Sequence, residues 1–366
     1  MRFFHIADLH IGKQLGGIDL TEDLRHVLFG QVLGSAYEKF RPDGLIIAGD
    51  IYDRSNPSAE AIELFDELLS KSAELSLPVY AISGNHDNPQ RISYGRKLFS
   101  SRNIFMCEPF SAEAPVTIVP CGDINIVLLP YISAEMAAQC YPDEDITDIT
   151  SALKTVLRHA DIPRSKPCLL VAHQAVAKDG VSPIGSLEAA DHHVFEDFSY
   201  TALGHFHTPR CVGTENIRYC GSPLCYSAKD ANRPQKYIDV IDIAEDDITV
   251  THHPIIPLRP VRILSGSFDE LISDKYASSD DLLYITVCGE NAESDAARRI
   301  MAKFPNCISI KYENISASSE EDERSFSEME FSELFSGFFR LAMGQDIDPE
   351  LLKTAEDLFR RSEVKE

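Results

Sequence analysis

The stretch GLIIAGDIYDR, residues 44–54, joins an apolar run of strand length to a glycine and an aspartate. Such a run predicts a β-strand that ends just before a polar side chain. Five further runs share this length and character: MRFFHIA, PVYAIS, INIVLLP, PCLLVA and YTALG. Helical patterns at residues 22–40 and 59–71 separate the early runs. The alternation of strands and helices predicts an α/β fold built on a layered sheet.

The later part of the chain has a different pattern. The segments IRYCG, KYIDVIDIA and DITVTHHPI predict an antiparallel flank that closes a first domain, residues 1–257. Residues 258–313 predict strand, strand, helix and strand, which is a small α+β domain. The charged, weakly hydrophobic residues 314–326 predict an exposed acidic linker, and residues 327–366 predict two helices with an aromatic-rich apolar stripe.

The composition narrows the class of protein. The chain has 366 residues, 44% of them apolar, which is enough for a large core. No stretch approaches the ~20 uninterrupted apolar residues of a membrane span, and the N-terminal segment lacks a signal-peptide pattern, so a cytoplasmic protein is expected. Nine cysteines without a CxxC pair predict reduced, mostly buried thiols. A net charge of −24 argues against a chain that grips nucleic acid unaided.

Five of the apolar runs end in side chains that can bind a metal ion. In chain order these side chains are Asp8, His10, Asp50, Asn85, His173, His205 and His207. In an open α/β sheet the carboxyl ends of the strands form the crevice where ligands bind. We therefore expect the seven side chains to converge, although the sequence scatters them widely.

The residue types favour a particular metal chemistry. Oxygen and imidazole donors without thiolates favour Mn²⁺, Fe²⁺ or Zn²⁺. Seven candidates exceed the needs of one catalytic ion and suit two ions that share a bridging carboxylate and activate water against a phosphate. In an extended segment His205 and His207 would point to the same side, about 6–7 Å apart, which suits two neighbouring ions.

Each candidate also has an ordinary structural interpretation. Asp50 alone would usually be a turn or cap residue, and His173 alone would usually be a core histidine. The pairs His192-His193 and His252-His253 do not follow the strand-end pattern, so we interpret them as surface or packing histidines.

The motifs DLHIG, GDIYDR, GNHD, AH and GHFH resemble, in this order, the signature of the calcineurin-like metallophosphoesterases. The longer segments ADLHIGK, GDIYDRSNPS, GNHDNPQR, LGHFHTPR and IRYCGSPLCYS resemble the SbcD family, the exonuclease subunits that act with the SbcC ATPase. The resemblance covers residues 1–257 by motif and residues 258–366 by layout. It implies a layered β-sandwich flanked by helices, with residues 258–313 as a capping domain.

The resemblance also implies a role for each site residue. One ion would be held by Asp8, His10, Asp50 and His207, and the other by Asp50, Asn85, His173 and His205. The ions would most readily be Mn²⁺. His86 matches the catalytic histidine of the family, which stabilises the transition state or protonates the leaving oxygen. Asp53, Asp87 and Arg91 are candidates for supporting or substrate-facing roles. For Asp87 the alternative is local packing, and Arg91, like Tyr131 and Tyr226, is either DNA-facing or an ordinary rim residue.

The implied partners are DNA and an SbcC-like coiled-coil ATPase. The family implies ATP-dependent exonuclease action on double-stranded ends and endonuclease action on single strands and hairpins, in DNA repair, recombination and replication. The complex would hold two copies of each subunit, with residues 327–366 docking on the ATPase. A positively charged ATPase surface would reconcile DNA binding with the acidic charge of this chain.

Two other functions remain open at this point. A stand-alone metallophosphoesterase acting on nucleotides or phosphoproteins would share the metal signature. A non-catalytic scaffold subunit would show a broken ligand set, whereas all seven positions are intact.

Overall fold

The computed structural model describes residues 1–178, 188–244, 247–289 and 295–313, with residues 348 and 351–352. Its first sheet has six strands, which in spatial order are β16 (Asp247–Ile255), β15 (Lys236–Ala244), β1 (Arg2–Ile6), β4 (Gly44–Ala48), β5 (Val79–Ile82) and β6 (Ile104–Met106). Strands β1, β4, β5 and β6 are parallel, β15 is antiparallel to β1, and β16 is antiparallel to β15. The predicted flank segments KYIDVIDIA and DITVTHHPI therefore form the edge of this sheet, whereas IRYCG lies in the second sheet, antiparallel to residues 210–212 and parallel to residues 200–204.

The second sheet also has six strands. In spatial order they are β13 (Arg210–Val212), β14 (Thr214–Tyr219), β12 (Tyr200–Gly204), β9 (Cys168–His173), β8 (Ile124–Leu129) and β7 (Thr117–Cys121). The four central strands are parallel, and the two edge strands are antiparallel to their neighbours. Short strand pairs lie outside the two sheets: β2 (Gln14–Leu15) with β3 (Ile18–Asp19), and β10 (Val176–Ala177) with β11 (Ala190–Asp191).

The two sheets pack face to face and helices cover their outer faces. Between the sheets lies an apolar layer that includes Phe3, Ile46 and Tyr80 from one sheet and Val171 and Tyr200 from the other. Separate apolar clusters join each outer face to its helices. The implied layered sandwich flanked by helices is confirmed.

The helices of this first domain are mostly short. They are α1 (Thr21–Arg25), a π-helical segment (His26–Ala36), α2 (Tyr37–Phe40), α3 (Ala59–Glu74), α4 (Pro89–Ile92), α5 (Arg96–Phe99), α6 (Ala134–Cys140), α7 (Ile149–His159) and α8 (Ala228–Ala231), with 3₁₀ turns at Ser100–Arg102 and His192–Phe195. The two predicted helical patterns therefore form helices. No helix of the described ranges has the length and apolar character to cross a membrane.

Residues 261–313 form a small unit with its own apolar cluster. It contains β17 (Val261–Gly266), α9 (Phe268–Ile272), β18 (Leu282–Cys288), α10 (Ala296–Lys303) and β19 (Cys307–Glu313). All three strands are parallel. The sequence pattern missed α9. Parallel strands need a crossover connection, and Ser267 and Glu270 form a capping box at the start of α9.

The segment that leads into this small unit is held to the first domain, and Val261 and Leu282 of the unit join an apolar cluster of that domain. The Gln31 amide donates to the Ile256 carbonyl at 2.7 Å and accepts from the Ile256 N–H at 2.9 Å. The Arg259 guanidinium pairs with the buried Asp23 carboxylate. The division of the chain at residue 257 stays a prediction. The predicted linker 314–326 lies outside the described residues, as does nearly all of the predicted helical region 327–366.

Candidate metal centre

The seven predicted metal ligands lie at one end of the sandwich. Asp8 and His10 follow β1, Asp50 follows β4, and Asn85 follows β5, all in the first sheet. In the second sheet His173 is the last residue of β9, while His205 and His207 follow β12. The two sheets therefore contribute side chains to the same edge, as expected for the carboxyl ends of parallel strands.

The backbone at this edge is strained. Eight non-glycine residues of the described ranges have positive φ, and four of them are candidate ligands: Asp8, His10, Asp50 and His205. The loops after β1 and β4 hold each other, because the N–H groups of Asp8 and His10 donate to the carbonyls of Gly49 and Asp50 at 3.1 and 3.0 Å. Strain of this kind persists where the surroundings fix the conformation, and it concentrates at functional sites.

A first group of side chains surrounds His10. Its Nε2 lies 3.1 Å from Nε2 of His207 and 3.6 Å from Oδ2 of Asp50. Ligand atoms of Asp8, His10 and His207 all lie within 4.8 Å of one another. These four residues are the set predicted to hold one ion.

A second group surrounds Asn85. Its Oδ1 lies 3.1 Å from Nε2 of His173 and 3.1 Å from Nδ1 of His205. Nε2 of His173 is 3.4 Å from Oδ2 of Asp50. The same Asp50 oxygen thus faces both groups, which is the arrangement expected of a bridging carboxylate.

The hydrogen-bond partners show that a cation fits here. Nδ1 of His173 lies 2.8 Å from the Ala48 carbonyl, so Nδ1 carries the hydrogen and Nε2 faces the oxygens of Asp50 and Asn85. Such a cluster of acceptor atoms is stable only with a proton or metal ion among them. Oδ2 of Asp8 is also buried and lacks a hydrogen-bond partner among the described residues. The donor set of carboxylates, an amide oxygen and imidazoles suits divalent ions such as Mn²⁺, Fe²⁺ or Zn²⁺.

Burial and neighbouring charges shift the pKa values of the carboxyl groups in the centre. Burial raises the pKa of the Asp8 carboxyl to about 6, although His173 opposes the shift. Burial also acts to raise the pKa of Asp50, but His173 and His10 outweigh it and hold that pKa well below its usual range.

The pKa values of the imidazoles shift in opposite directions. Burial acts to lower the pKa of His173, but the Asp50 and Asp8 carboxylates outweigh it and raise that pKa to about 9. Burial lowers the pKa of His205 to about 4, and it also lowers the pKa of His207, with His10 adding to the effect. His205 and His207 are therefore neutral at pH 7 and have lone pairs for a metal ion.

His86 lies beside these groups and is partly open to solvent. Its Nδ1 is 2.9 Å from the Asp53 carbonyl and its Nε2 is 4.0 Å from Oδ2 of Asp50. The side chain is 41% exposed, so it is open to a substrate. Because the carbonyl takes the Nδ1 hydrogen, Nε2 is the atom available for proton transfer.

The three supporting candidates differ in their contacts. The Asp53 carboxylate accepts from Lys13 at 2.6 Å and lies 3.4 Å from Nδ1 of His10, so it supports the first group. The Asp87 carboxylate accepts backbone N–H groups of Ile51, Tyr52 and Gly84, a set of bonds that favours the packing alternative over orientation of the His86 ring. Arg91 is exposed and donates to Asn56.

The backbone around the two late histidines differs from the expected extended form. His205 has a φ of 106°, so the chain turns sharply there. A Cβ on Gly204 would lie 1.9 Å from the Ala48 carbonyl oxygen, which means that only glycine lets the two sheets approach so closely. His205 and His207 still reach different groups, while Phe206 packs against Tyr219 in the second sheet.

Other histidines and aromatic residues lie apart from the ligand groups. His252 bonds to Asp239 on the neighbouring strand, and His192 and His193 bond to Asp191 at the start of a 3₁₀ turn. Tyr226 is buried and contacts the His10 and His207 rings edge-on, so it packs behind the centre and does not face DNA. Lys13 and Lys236 also contact residues of the site, namely Asp53 and the His207 carbonyl. No sequence pattern marks either lysine, because each contact spans a long sequence separation.

Sequence similarity places the chain among known proteins. The calcineurin-like phosphoesterase family model matches residues 1–209, and the type 5 capsule protein repressor C-terminal domain model matches residues 257–342. The chain therefore belongs to the calcineurin-like phosphoesterases and is a metal-dependent phosphoesterase.

Within that class the chain belongs to the SbcD family. It is 30% identical to the SbcD component of the SbcCD nuclease of Staphylococcus epidermidis over 85% of each chain. Among solved structures, Vps29 of Entamoeba histolytica with bound zinc is 13% identical, with a TM-score of 0.29 over 70% of this chain and 99% of Vps29. A double mutant of the same Vps29 is 14% identical, with a TM-score of 0.32 over 70% of this chain and 93% of the mutant.

Proposed function

We propose that this chain is the nuclease subunit of an SbcCD-type complex and hydrolyses DNA phosphodiester bonds with two divalent ions. The observation that carries the proposal is the position of Asp50 Oδ2, 3.6 Å from the His10 imidazole and 3.4 Å from the His173 imidazole. One carboxylate oxygen thereby joins the two ligand groups. Two ions held in this way would activate a water and stabilise the leaving oxygen of a bound phosphate.

The side chains have separate roles in this proposal. Asp8, His10 and His207 would complete the coordination of one ion, and Asn85, His173 and His205 that of the other, with Asp50 shared. His86 would donate a proton from Nε2 to the leaving oxygen, while Asp53 holds Nδ1 through its carbonyl at 2.9 Å. The metal is proposed to be Mn²⁺, as the family resemblance implies, and the mixed oxygen and imidazole donors without thiolates are compatible with it.

The partner proposal follows from the family and from the charge. The relative from Staphylococcus is named as part of the SbcCD nuclease, and we propose an SbcC-like coiled-coil ATPase as the partner of this chain. With that ATPase, the complex would degrade double-stranded ends in an ATP-dependent reaction and cut single strands and hairpins. The net charge of −24 supports a division of labour in which the ATPase supplies much of the DNA-binding surface. Nine free cysteines are compatible with a reducing, cytoplasmic location.

A homodimer within a two-plus-two complex is also proposed. Tyr94 and Leu98, at 81% and 76% exposure, are the two most exposed large apolar side chains of the described residues. Large exposed apolar patches are typical of interaction surfaces, and we propose that Tyr94 and Leu98 belong to such a surface. A Leu98→Asp variant should halve the mass measured by light scattering, whereas Met301→Asp, an exposed site on the small domain, should not. A wild-type chain that is monomeric at micromolar concentration contradicts the dimer.

The function is tested with purified chain, Mn²⁺ and hairpin or end-labelled DNA, with and without the ATPase. With the ATPase present, we expect hairpin cleavage and ATP-dependent end degradation by the wild-type chain, and neither with His86→Ala. Hydrolysis of small phosphate monoesters without DNA cleavage would instead identify a stand-alone phosphatase. Absence of both metal uptake and hydrolysis would identify a scaffold subunit.

A further inference from the structure

Lys236 is a buried cation behind the candidate metal centre. It is the first residue of β15, and only 4% of it is exposed. Its Nζ donates to the His207 carbonyl at 2.9 Å and to Ser222 Oγ at 3.2 Å, and lies 3.8 Å from Oδ1 of Asp230. A side chain of the first sheet therefore holds the backbone of a candidate ligand that follows a strand of the second sheet.

The counter-ion of Lys236 is connected to the same part of the centre. Oδ2 of Asp230 accepts from the Tyr226 N–H at 3.0 Å. The Tyr226 hydroxyl donates to the Leu9 carbonyl at 2.5 Å, and its ring meets those of His10 and His207 edge-on at 5.3 and 5.5 Å. The contacts of Lys236 and Asp230 thus lead to His10 and His207, which belong to the first ligand group.

We infer that Lys236 is a positioning residue for the ion held by Asp8, His10, Asp50 and His207, an inference that rests on the proposed two-metal function. Lys236 donates to the backbone carbonyl of His207 and leaves the His207 ring free. It therefore fixes the backbone that carries the imidazole without competing for Nε2. Burying an ammonium group is unfavourable unless hydrogen bonds and a counter-charge compensate. Here the compensating groups are the His207 carbonyl, the Ser222 hydroxyl and the Asp230 carboxylate.

The inference predicts a selective effect on metal binding. Removing partners that orient metal ligands typically weakens metal binding about 10–100-fold. Lys236→Met should weaken one of the two Mn²⁺ sites to that extent and leave the other within about twofold. A general loss of stability would weaken both sites together.

A double-mutant cycle by Mn²⁺ titration separates positioning from destabilisation. Lys236→Met should add little to the defect of His207→Ala, because the residue it positions is already gone. It should have its full effect on the remaining site of His205→Ala. Equal effects in both backgrounds would overturn the inference.

The Lys236→Met, Asp230→Asn double variant is the control for folding, because it removes the unpaired carboxylate that the single variant leaves buried. We expect it to recover thermal stability and to retain the weakened site. Recovery of wild-type Mn²⁺ affinity would overturn the inference. If the wild-type chain binds two ions and Lys236→Met binds them with the same affinities, this inference alone is overturned. If the wild-type chain binds no ion, the proposed function is overturned as well.

Discussion

The Asp50 carboxylate faces side chains from several strands at once. Oδ1 accepts the His86 N–H at 3.0 Å, and Oδ2 faces His10 and His173 from opposite ligand groups. Asp50 itself has a φ of 48°, which places its carboxylate between the loops after β1 and β5. The residue therefore links the two ligand groups to the loop that carries the catalytic candidate.

Replacement of this carboxylate tests the bridge. Asp50→Asn should bind at most one Mn²⁺ and lower kcat more than about 100-fold, because the missing ion no longer supplies several kcal/mol of transition-state stabilisation. Asp123→Asn, at an exposed turn, is the matched control. An Asp50→Asn variant that keeps two ions by elemental analysis speaks against a bridging role.

Replacement of His86 should affect catalysis and not metal binding, because His86 belongs to neither ligand group in the proposal. His86→Ala should retain both ions and lose about 10²–10⁴-fold in kcat, the range for a lost general acid. Mn²⁺ content and DNA cleavage measured on the same sample check both parts. His159→Ala, on the exposed end of α7, should behave as wild type. Loss of an ion in His86→Ala would assign the residue to the ligands.

Metal binding should release a proton from His173. Its pKa of about 9 in the metal-free chain means that the imidazole is protonated at pH 7.5, and an ion must displace that proton. Titration calorimetry in buffers of different ionisation enthalpy should give about one proton released per chain at pH 7.5, and less above pH 9. His205, with a pKa of about 4, contributes none at this pH. Release that does not fall above pH 9 contradicts the assignment to His173.

Asp87 links the loop after β4 to the loop after β5. Its carboxylate is 6% exposed and accepts three backbone N–H groups, from Ile51, Tyr52 and Gly84, at 2.9–3.0 Å. Two ligand-bearing loops are thereby held at a fixed spacing.

Asp87→Ala should therefore lower the free energy of unfolding by roughly 2–4 kcal/mol, because it leaves buried N–H groups without an acceptor. Urea unfolding of the metal-free chain measures the change. Asp66→Ala, on the exposed face of α3, should change stability by less than about 0.5 kcal/mol. A similarly small change in Asp87→Ala would contradict the role of this carboxylate.

The sequence predicted the elements that carry the site better than the connections between them. Each ligand-bearing strand is an apolar run followed by a polar residue, a local pattern that needs no tertiary information. Helix α9 has only five residues, too few for a periodic signal, and its capping box was the available cue. The turn at His205 depends on the approach of Gly204 to Ala48 from the other sheet, which no local pattern records.

The small domain is attached to the rest of the molecule by apolar and polar contacts: Val261 and Leu282 are buried in an apolar cluster of the first domain, and Arg259 adds an ion pair. Asp23 is nearly buried, and it pairs with Arg259 just before β17. Removing one partner of such a pair leaves a buried charge uncompensated. The position of the small domain beside the sandwich therefore depends on this pair together with the apolar contacts of Val261 and Leu282.

Arg259→Ala should weaken the attachment of the small domain by about 1–3 kcal/mol, less than for a fully buried pair because Arg259 is partly exposed. Hydrogen exchange should speed up in residues 256–260 without unfolding the sandwich. The Asp23→Asn, Arg259→Met double variant should recover part of the loss. Unchanged exchange in Arg259→Ala would show that other contacts hold the domain.

In the proposed function, the carboxyl ends of strands from both sheets form one centre for two ions. Crystals grown with Mn²⁺ test it most directly through anomalous diffraction. We expect two peaks about 3.5–4 Å apart, on either side of Oδ2 of Asp50, one beside His10 and His207 and the other beside Asn85, His173 and His205. A single peak, or two peaks that do not share Asp50, would contradict it.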